Sequence, residues 1–421
     1  MKTPVIIDAD PGVDDVIAIL LALASPELDV RAIIISYGNT TLEASHLNII
    51  KLYHTLLQHL EQFPEQKSRF PGLSGDRKVI LAKGCSHPLA GADHSAEYFH
   101  GRDGLGDMDQ RHPDLSVEVS TAEHSHLLLT DRPGVEVALD LIESEPSRSI
   151  TYVALGPLTN LAQLLRLGGD SVRDRIGRVV CMGGALDVPG NTSPVAEFNF
   201  FADPYAVKEL LTPDDPNTSI PLERFLLLPS ILPLRTSYPS LSTLLESTQP
   251  SKTRRSFLER TREIMVGFGK DAMELHDIVA VWCAIANPPV EVETVGALPK
   301  LQPGWKASRR KFQLSGKKGE AASLVGEITR GMCVVDLRED PGAYAPGANR
   351  AEVQAELEKH HLHHSGPFES TALPAQVEVE RASDAQLPNH TAVGGVACVF
   401  ETPGPEALLT LLLERVWGVT T

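Results

Sequence analysis

Short runs of β-branched and other apolar residues recur along this chain, each followed by a polar or glycine-containing turn and then an amphipathic stretch. The run "PVIIDAD" leads into Val13–Ala24, "VRAIIISYGN" into Leu42–Leu60 and "ITYVALGP" into Leu158–Leu167, and "GRVVCMGG" precedes a helical stretch over Pro204–Leu211. Strand, turn and amphipathic helix in repetition are the mark of a parallel sheet covered by helices. The pattern predicts an α/β fold: an open, mostly parallel sheet flanked by helices, closed by an amphipathic helix in "ETPGPEALLTLLLERVWG". Ligands of such sheets bind beyond the carboxyl ends of the strands, so the residues just after each apolar run are where chemistry is expected.

Between these units lie polar or proline-rich stretches that do not continue the pattern: 61–77, 107–132, 212–221 and 341–388. They read as surface insertions in one domain spanning residues 1–421, with no internal repeat. The last of them contains Lys359-His360-His361-Leu362-His363-His364, which fits a solvated loop better than a metal site.

Composition narrows the partners. Hydrophobic residues at 42% and charged residues at 22% suit a folded, enzyme-sized core. A net charge of -17, from 38 Lys and Arg against 55 Asp and Glu, would repel phosphate backbones and anionic headgroups, so neither nucleic acid nor membrane is an expected partner. Cations and neutral substrates suit that field. Cys85, Cys181, Cys283, Cys333 and Cys398 are scattered and odd in number, which argues against a disulfide framework or a zinc site. The sequence enters its first strand at once and shows no long apolar span, so a cytoplasmic location is expected.

The strongest chemical signal is Asp8-Ala9-Asp10-Pro11-Gly12-Val13-Asp14-Asp15, with four carboxylates in eight residues at a strand-to-helix junction. Like charges so close repel unless a hard divalent cation turns the repulsion into coordination. Gly12 permits the tight turn, and the helix N-terminus helps to keep Asp14 and Asp15 ionised. Capping would need one aspartate at most, and it does not account for Asp8 and Asp10, which sit at period two on the strand. An aspartyl phosphatase nucleophile motif would want Thr or Val after its second Asp, where Pro11-Gly12 stands, and no phosphate-binding loop is present.

Together with "LGPLTN", "NTSPVAEFNFFADP" and "ELHDIVAVWCA", the segment "DADPGVDD" resembles the nucleoside hydrolase family, of the inosine-uridine preferring, calcium-dependent type. The resemblance implies a Ca2+ ion held by Asp10, Asp15, Asp277 and the backbone carbonyl of Leu155, with Asp8 beside the site orienting a ligand. It implies hydrolysis of the N-glycosidic bond of ribonucleosides, with Asp10 as general base on a cation-bound water and His276 as the acid that protonates the leaving base. Asp14 and Asn39 would take the 2′ and 3′ hydroxyls, and Asn191, Glu197 and Asn199 the remaining ones; Met182 would pack against the sugar and His100 would line the pocket near the base.

The family also implies a homodimer or homotetramer. Base preference is expected to depend on residues 254–275, whose aromatics are Phe257 and Phe268, with uridine or inosine favoured. Two other readings stay open: the same site acting on another ribosyl compound such as nicotinamide riboside, and a noncatalytic metal and ribose binder.

Overall fold

The computed structural model describes residues 2–75, 77–107, 110, 125–230, 235–237, 272–290, 298–314, 329–335 and 395–419. Residues Phe257 and Phe268, nearly all of 254–275, the 341–388 segment with its histidines and most of 107–132 lie outside these.

Strand β1 (Thr3–Ala9) explains the architecture in miniature. Val5, Ile7 and Ala9 enter one apolar core while Ile6 enters a second, as period two demands of a strand covered on both faces. The other strands are β2 (Leu28–Ile35), β3 (Val79–Lys83), β4 (Leu127–Thr130), β5 (Thr151–Ala154), β6 (Arg178–Met182), β7 (Phe225–Leu228), β8 (Arg235–Ser237), β9 (Ala272–Glu274), β10 (Lys306–Arg310), β11 (Gln313–Leu314), β12 (Cys333–Val334) and β13 (Val396–Glu401). Nine of them form one sheet in the order β10-β13-β7-β6-β5-β1-β2-β3-β4, parallel throughout except that β10 runs antiparallel to β13. The chain builds outward from β1 to β4, then returns to lay β5 on the other side of β1. That reversal opens a crevice beyond the carboxyl ends of β1 and β5, the place where such sheets take ligands.

Helices α1 (Val13–Leu23), α2 (Leu42–Gln62), α3 (Glu97–His100), α4 (Gly134–Ser144), α5 (Thr159–Gly168), α6 (Asp170–Arg175), α7 (Phe198–Ala202), α8 (Pro204–Leu211), α9 (His276–Ala286) and α10 (Pro405–Leu412) follow in chain order. Residues of α1, α2, α9 and α10 fill the core on one face of the sheet; those of α4, α5, α6 and α8 fill the other. The packing of α1 along α9 matters most, because it joins the first motif to the last.

The expected helices are present with ends moved by a residue or two. The closing segment is divided: Glu401 still belongs to β13, α10 starts only at Pro405, and a π turn over Leu413–Trp417 ends it. Residues 61 and 62 of the first expected insertion finish α2, and its short 3-10 turns hold Phe70 at 1% exposure against the core. No helix among the described residues is long and apolar enough to cross a membrane.

Candidate active site

β1 ends at Ala9, and Asp10-Pro11-Gly12 turns the chain into α1 with Gly12 as its N-cap. Asp15 reaches back to accept the Gly12 N–H at 2.9 Å, half of a capping box, which fixes its carboxylate over the turn. Asn39, beyond the end of β2, donates its backbone N–H to Asp10 Oδ2 at 2.8 Å and its side-chain amide to Asp15 Oδ2 at 3.1 Å. Because α1 packs on α9, Asp277 arrives beside them, and carboxylate oxygens of Asp14, Asp15 and Asp277 lie within 4.8 Å of one another. Asp14, read from sequence as a sugar contact, thus stands among the ligand candidates; Asp10 is buried next to this trio and is repelled by Asp15 and Asp14.

The electrostatics of this floor are severe. Burial, followed by repulsion from the neighbouring aspartates, pushes the carboxyls of Asp10 and Asp277 well above the usual range and that of Asp15 up to about 7. Oδ1 of Asp14 and Oδ1 of Asp15 are buried without a hydrogen-bond donor. Orphaned hard oxygens amid raised carboxyls fit a divalent cation, which would supply the missing partner and the missing positive charge.

Two chain turns close on Asp10. A β-carbon at Gly38 would overlap Asp10 Oδ2, and one at Gly156 would lie 2.7 Å from Asp10 Oδ1. Both glycines follow strand ends, in "SYGN" and "LGP", and that position was the only hint of them in the sequence. Gly38→Ala is expected to displace the carboxylate and to destabilise the fold by about 1–3 kcal/mol through overpacking. Its melting temperature should fall and its divalent-cation affinity drop; unchanged values of both would show that the cradle is slack.

Around the floor, Asp8 is fully buried on β1 and accepts from Tyr152 Oη and from Asn160 Nδ2, each at 2.8 Å. Burial raises it to about 7 against those two bonds. Asn160 Oδ1 also accepts the Cys85 N–H at 2.7 Å, so Asp8 organises the strand ends rather than facing the crevice. Tyr152 and Asn160 were not singled out from sequence; a tyrosine within an apolar strand reads as core.

Asn199 donates to the Leu155 carbonyl at 2.6 Å and to Met182 Sδ at 3.3 Å, which brings together three residues expected at the site. Glu197 caps α7: it accepts the N–H groups of Asn199 at 2.8 Å, Phe200 at 3.2 Å and, from the turn after β6, Gly184 at 2.8 Å. Asn191 Oδ1 accepts the Phe198 N–H at 2.9 Å, at the same helix end. His100 is buried against Gly12, where its Nδ1 accepts the Val13 N–H at 3.4 Å, and burial holds its pKa down. His276 opens α9 next to Asp277, half-buried and within electrostatic reach of Glu197.

Residues 5–363 match the sequence profile of the family described as inosine-uridine preferring nucleoside hydrolase. The chain is 35% identical over 206 residues to the inosine-uridine preferring nucleoside hydrolase of Leishmania major, and 36% identical over 208 residues to the pyrimidine-specific ribonucleoside hydrolase RihA of Salmonella typhimurium. Each alignment takes in 49% of this chain and spans only 56% of the relative's length. Among solved structures, an inosine-guanosine nucleoside hydrolase superposes with a TM-score of 0.63 at 21% identity, and a plant nucleoside hydrolase with 0.60 at 20%, each over 99% of both chains. At such identities the likeness is one of fold. With its carboxylate floor at the sheet's reversal point and its sequence matched from the first strand onward, the chain belongs to the inosine-uridine preferring nucleoside hydrolase family.

Proposed function

We propose that this protein hydrolyses the N-glycosidic bond of ribonucleosides to ribose and free base, with calcium as its cation. The observation that carries the reading is the floor of buried aspartates with two orphaned oxygens. Asp10, Asp15, Asp277 and the Leu155 carbonyl would hold the ion, and calcium's preference for about six to eight oxygens suits that crowd better than magnesium's strict octahedron. When bound, the cation would acidify a water and attract the ribose diol.

Asp10, fixed by the Asn39 N–H and the two glycines, takes a proton as the water oxygen bonds to C1′. The C1′–N bond breaks with its electron pair going to the base, and His276 supplies the proton that lets the base leave. Asp14 and Asn39 accept from the 2′ and 3′ hydroxyls. Asn191, Glu197 and Asn199 receive the other sugar hydroxyls, Met182 packs against the ring, and His100 lines the side of the base. Removing the 2′ hydroxyl would leave an acceptor at this aspartate floor unpaired. We further propose that residues 1–421 form a single domain and that the protein works in the cytoplasm as a homodimer or homotetramer, in purine and pyrimidine salvage; its acidic charge and its odd number of scattered cysteines support the location.

The test is a reducing-sugar assay on the purified chain with calcium and uridine, inosine, 2′-deoxyuridine or nicotinamide riboside. The names of the relatives, inosine-uridine preferring and pyrimidine-specific, make uridine the first substrate to try. Ribose is expected from uridine and inosine, and the deoxynucleoside should be slower by up to about 10⁴-fold. Release from nicotinamide riboside alone would redirect the substrate class. No release from any of them with calcium retained would leave a noncatalytic binder.

A further inference from the structure

Helix α2 sends one amide inward among apolar neighbours. Asn48 is 1% exposed, and Ile49 and Ile50 beside it are buried in the core. Its Nδ2 donates twice, to the Pro11 carbonyl at 2.9 Å and to the Asp103 carbonyl at 2.7 Å. Pro11 lies inside the turn that carries Asp10 into α1; Asp103 lies in the loop that follows His100.

That second loop is preformed. Asp103 Oδ1 accepts the N–H groups of Leu105 and Asp107, each at 2.8 Å, and the Gly106 N–H closes on the His100 carbonyl at 2.6 Å. Thr40 ties it a second time, through its hydroxyl to the Arg102 carbonyl at 2.7 Å. Gly104, at φ +76°, lets the loop approach closely: a β-carbon there would lie 2.8 Å from Thr40 Cγ2 and 3.0 Å from Asn48 Nδ2. A single side chain therefore fastens the turn of the candidate ligands to the loop of His100.

The chemistry requires an amide. Two carbonyl oxygens need two N–H donors from one short side chain, and among neutral side chains of this size only Asn supplies them. Asn48 Oδ1 is meanwhile buried with no partner, a cost that a position serving the core alone would avoid by being apolar. On the footing of the cation-dependent reading above, we propose that Asn48 is a positioning residue. By fixing Pro11 it sets Asp10 against Asp14 and Asp15 and keeps His100 against Gly12, so it governs cation affinity while touching neither cation nor substrate.

Calorimetric titration of the full chain with calcium, together with melting temperatures in calcium and in chelator, tests this. Asn48→Ala removes both donors and is expected to weaken calcium binding about 10–100-fold, as loss of a group that orients ligands does. Asn48→Asp keeps the shape but sets a carboxylate against two carbonyls, and should weaken it further. Thr40→Val, which loosens the loop and leaves Pro11 held, should stay near wild type. A merely structural role would lower both melting temperatures equally and leave the affinity intact; that result with Asn48→Ala overturns the proposal, even if Asn48→Asp does not fold. Wild-type protein that binds calcium but cleaves no nucleoside would defeat the reaction and leave the Asn48 test standing. Wild-type protein that binds no calcium would sink both.

Discussion

Asp10→Ala is expected to stay folded and to hydrolyse uridine at least about 10³-fold more slowly than wild type, within the range that loss of a positioned general base produces. The carboxylate is fully buried between Gly38 and Gly156, and one oxygen is already committed to the Asn39 N–H. No neighbouring carboxylate has that placement: Asp8 is held by Tyr152 and Asn160 on the strand, and Asp15 is occupied with the Gly12 cap and the Asn39 amide. Folding should survive because the variant removes one of several mutually repelling buried acids, so in chelator it should melt no lower than wild type. Asp10→Asn separates charge from shape, since it keeps the volume in the glycine cradle and loses the base. Ribose release by either variant at the wild-type rate would remove Asp10 from the proton transfer.

The parts of this site that the sequence made legible are those whose side chains have no local use. Four aspartates around one turn exceed what capping needs, and period two along the first apolar run set Asp8 and Asp10 outside any helix role, although β1 itself ends at Ala9 and Asp10 stands in the turn. Asp277 was different: nothing near α9 marks it as a partner of Asp15, and only resemblance to the family joined residues that meet through helix packing. Glu197 shows the reverse case. Expected as a sugar contact, it accepts two backbone N–H groups at the start of α7, a role any acidic residue before a helix could have announced, and a third from Gly184 in the turn after β6. Asn48, Gly38 and Gly156 escaped notice because their work is done against backbone atoms and a single carboxylate, contacts that leave no periodicity in the chain. The fold was easier, since each βα unit repeats the same signal and errors at one end do not propagate.

In chelator, the melting temperature should fall as pH rises from about 5 to 8, and calcium should make that fall shallower. The sign follows from the floor of the site. With no cation bound, Asp15 is raised from 3.8 to about 7 by burial and then by Asp14, and Asp10 and Asp277 are raised for the same reasons. Between the unfolded and folded pKa values the folded state holds more protons, so stability is greatest below about 4 and is lost as pH climbs through about 7. A cation reverses the preference for the ligating carboxylates, because it binds only their ionised forms and adds about 2.7 kcal/mol at a hundredfold excess over Kd. Asp8, also raised from 3.8 to about 7 and no ligand itself, keeps its own decline in both conditions. The difference between the two melting curves therefore isolates the ligating carboxylates, and it should widen steadily with pH. Calorimetry or dye-monitored melting at pH 5, 6, 7 and 8 would read it; a constant difference, or none, would mean that these aspartates do not share a cation.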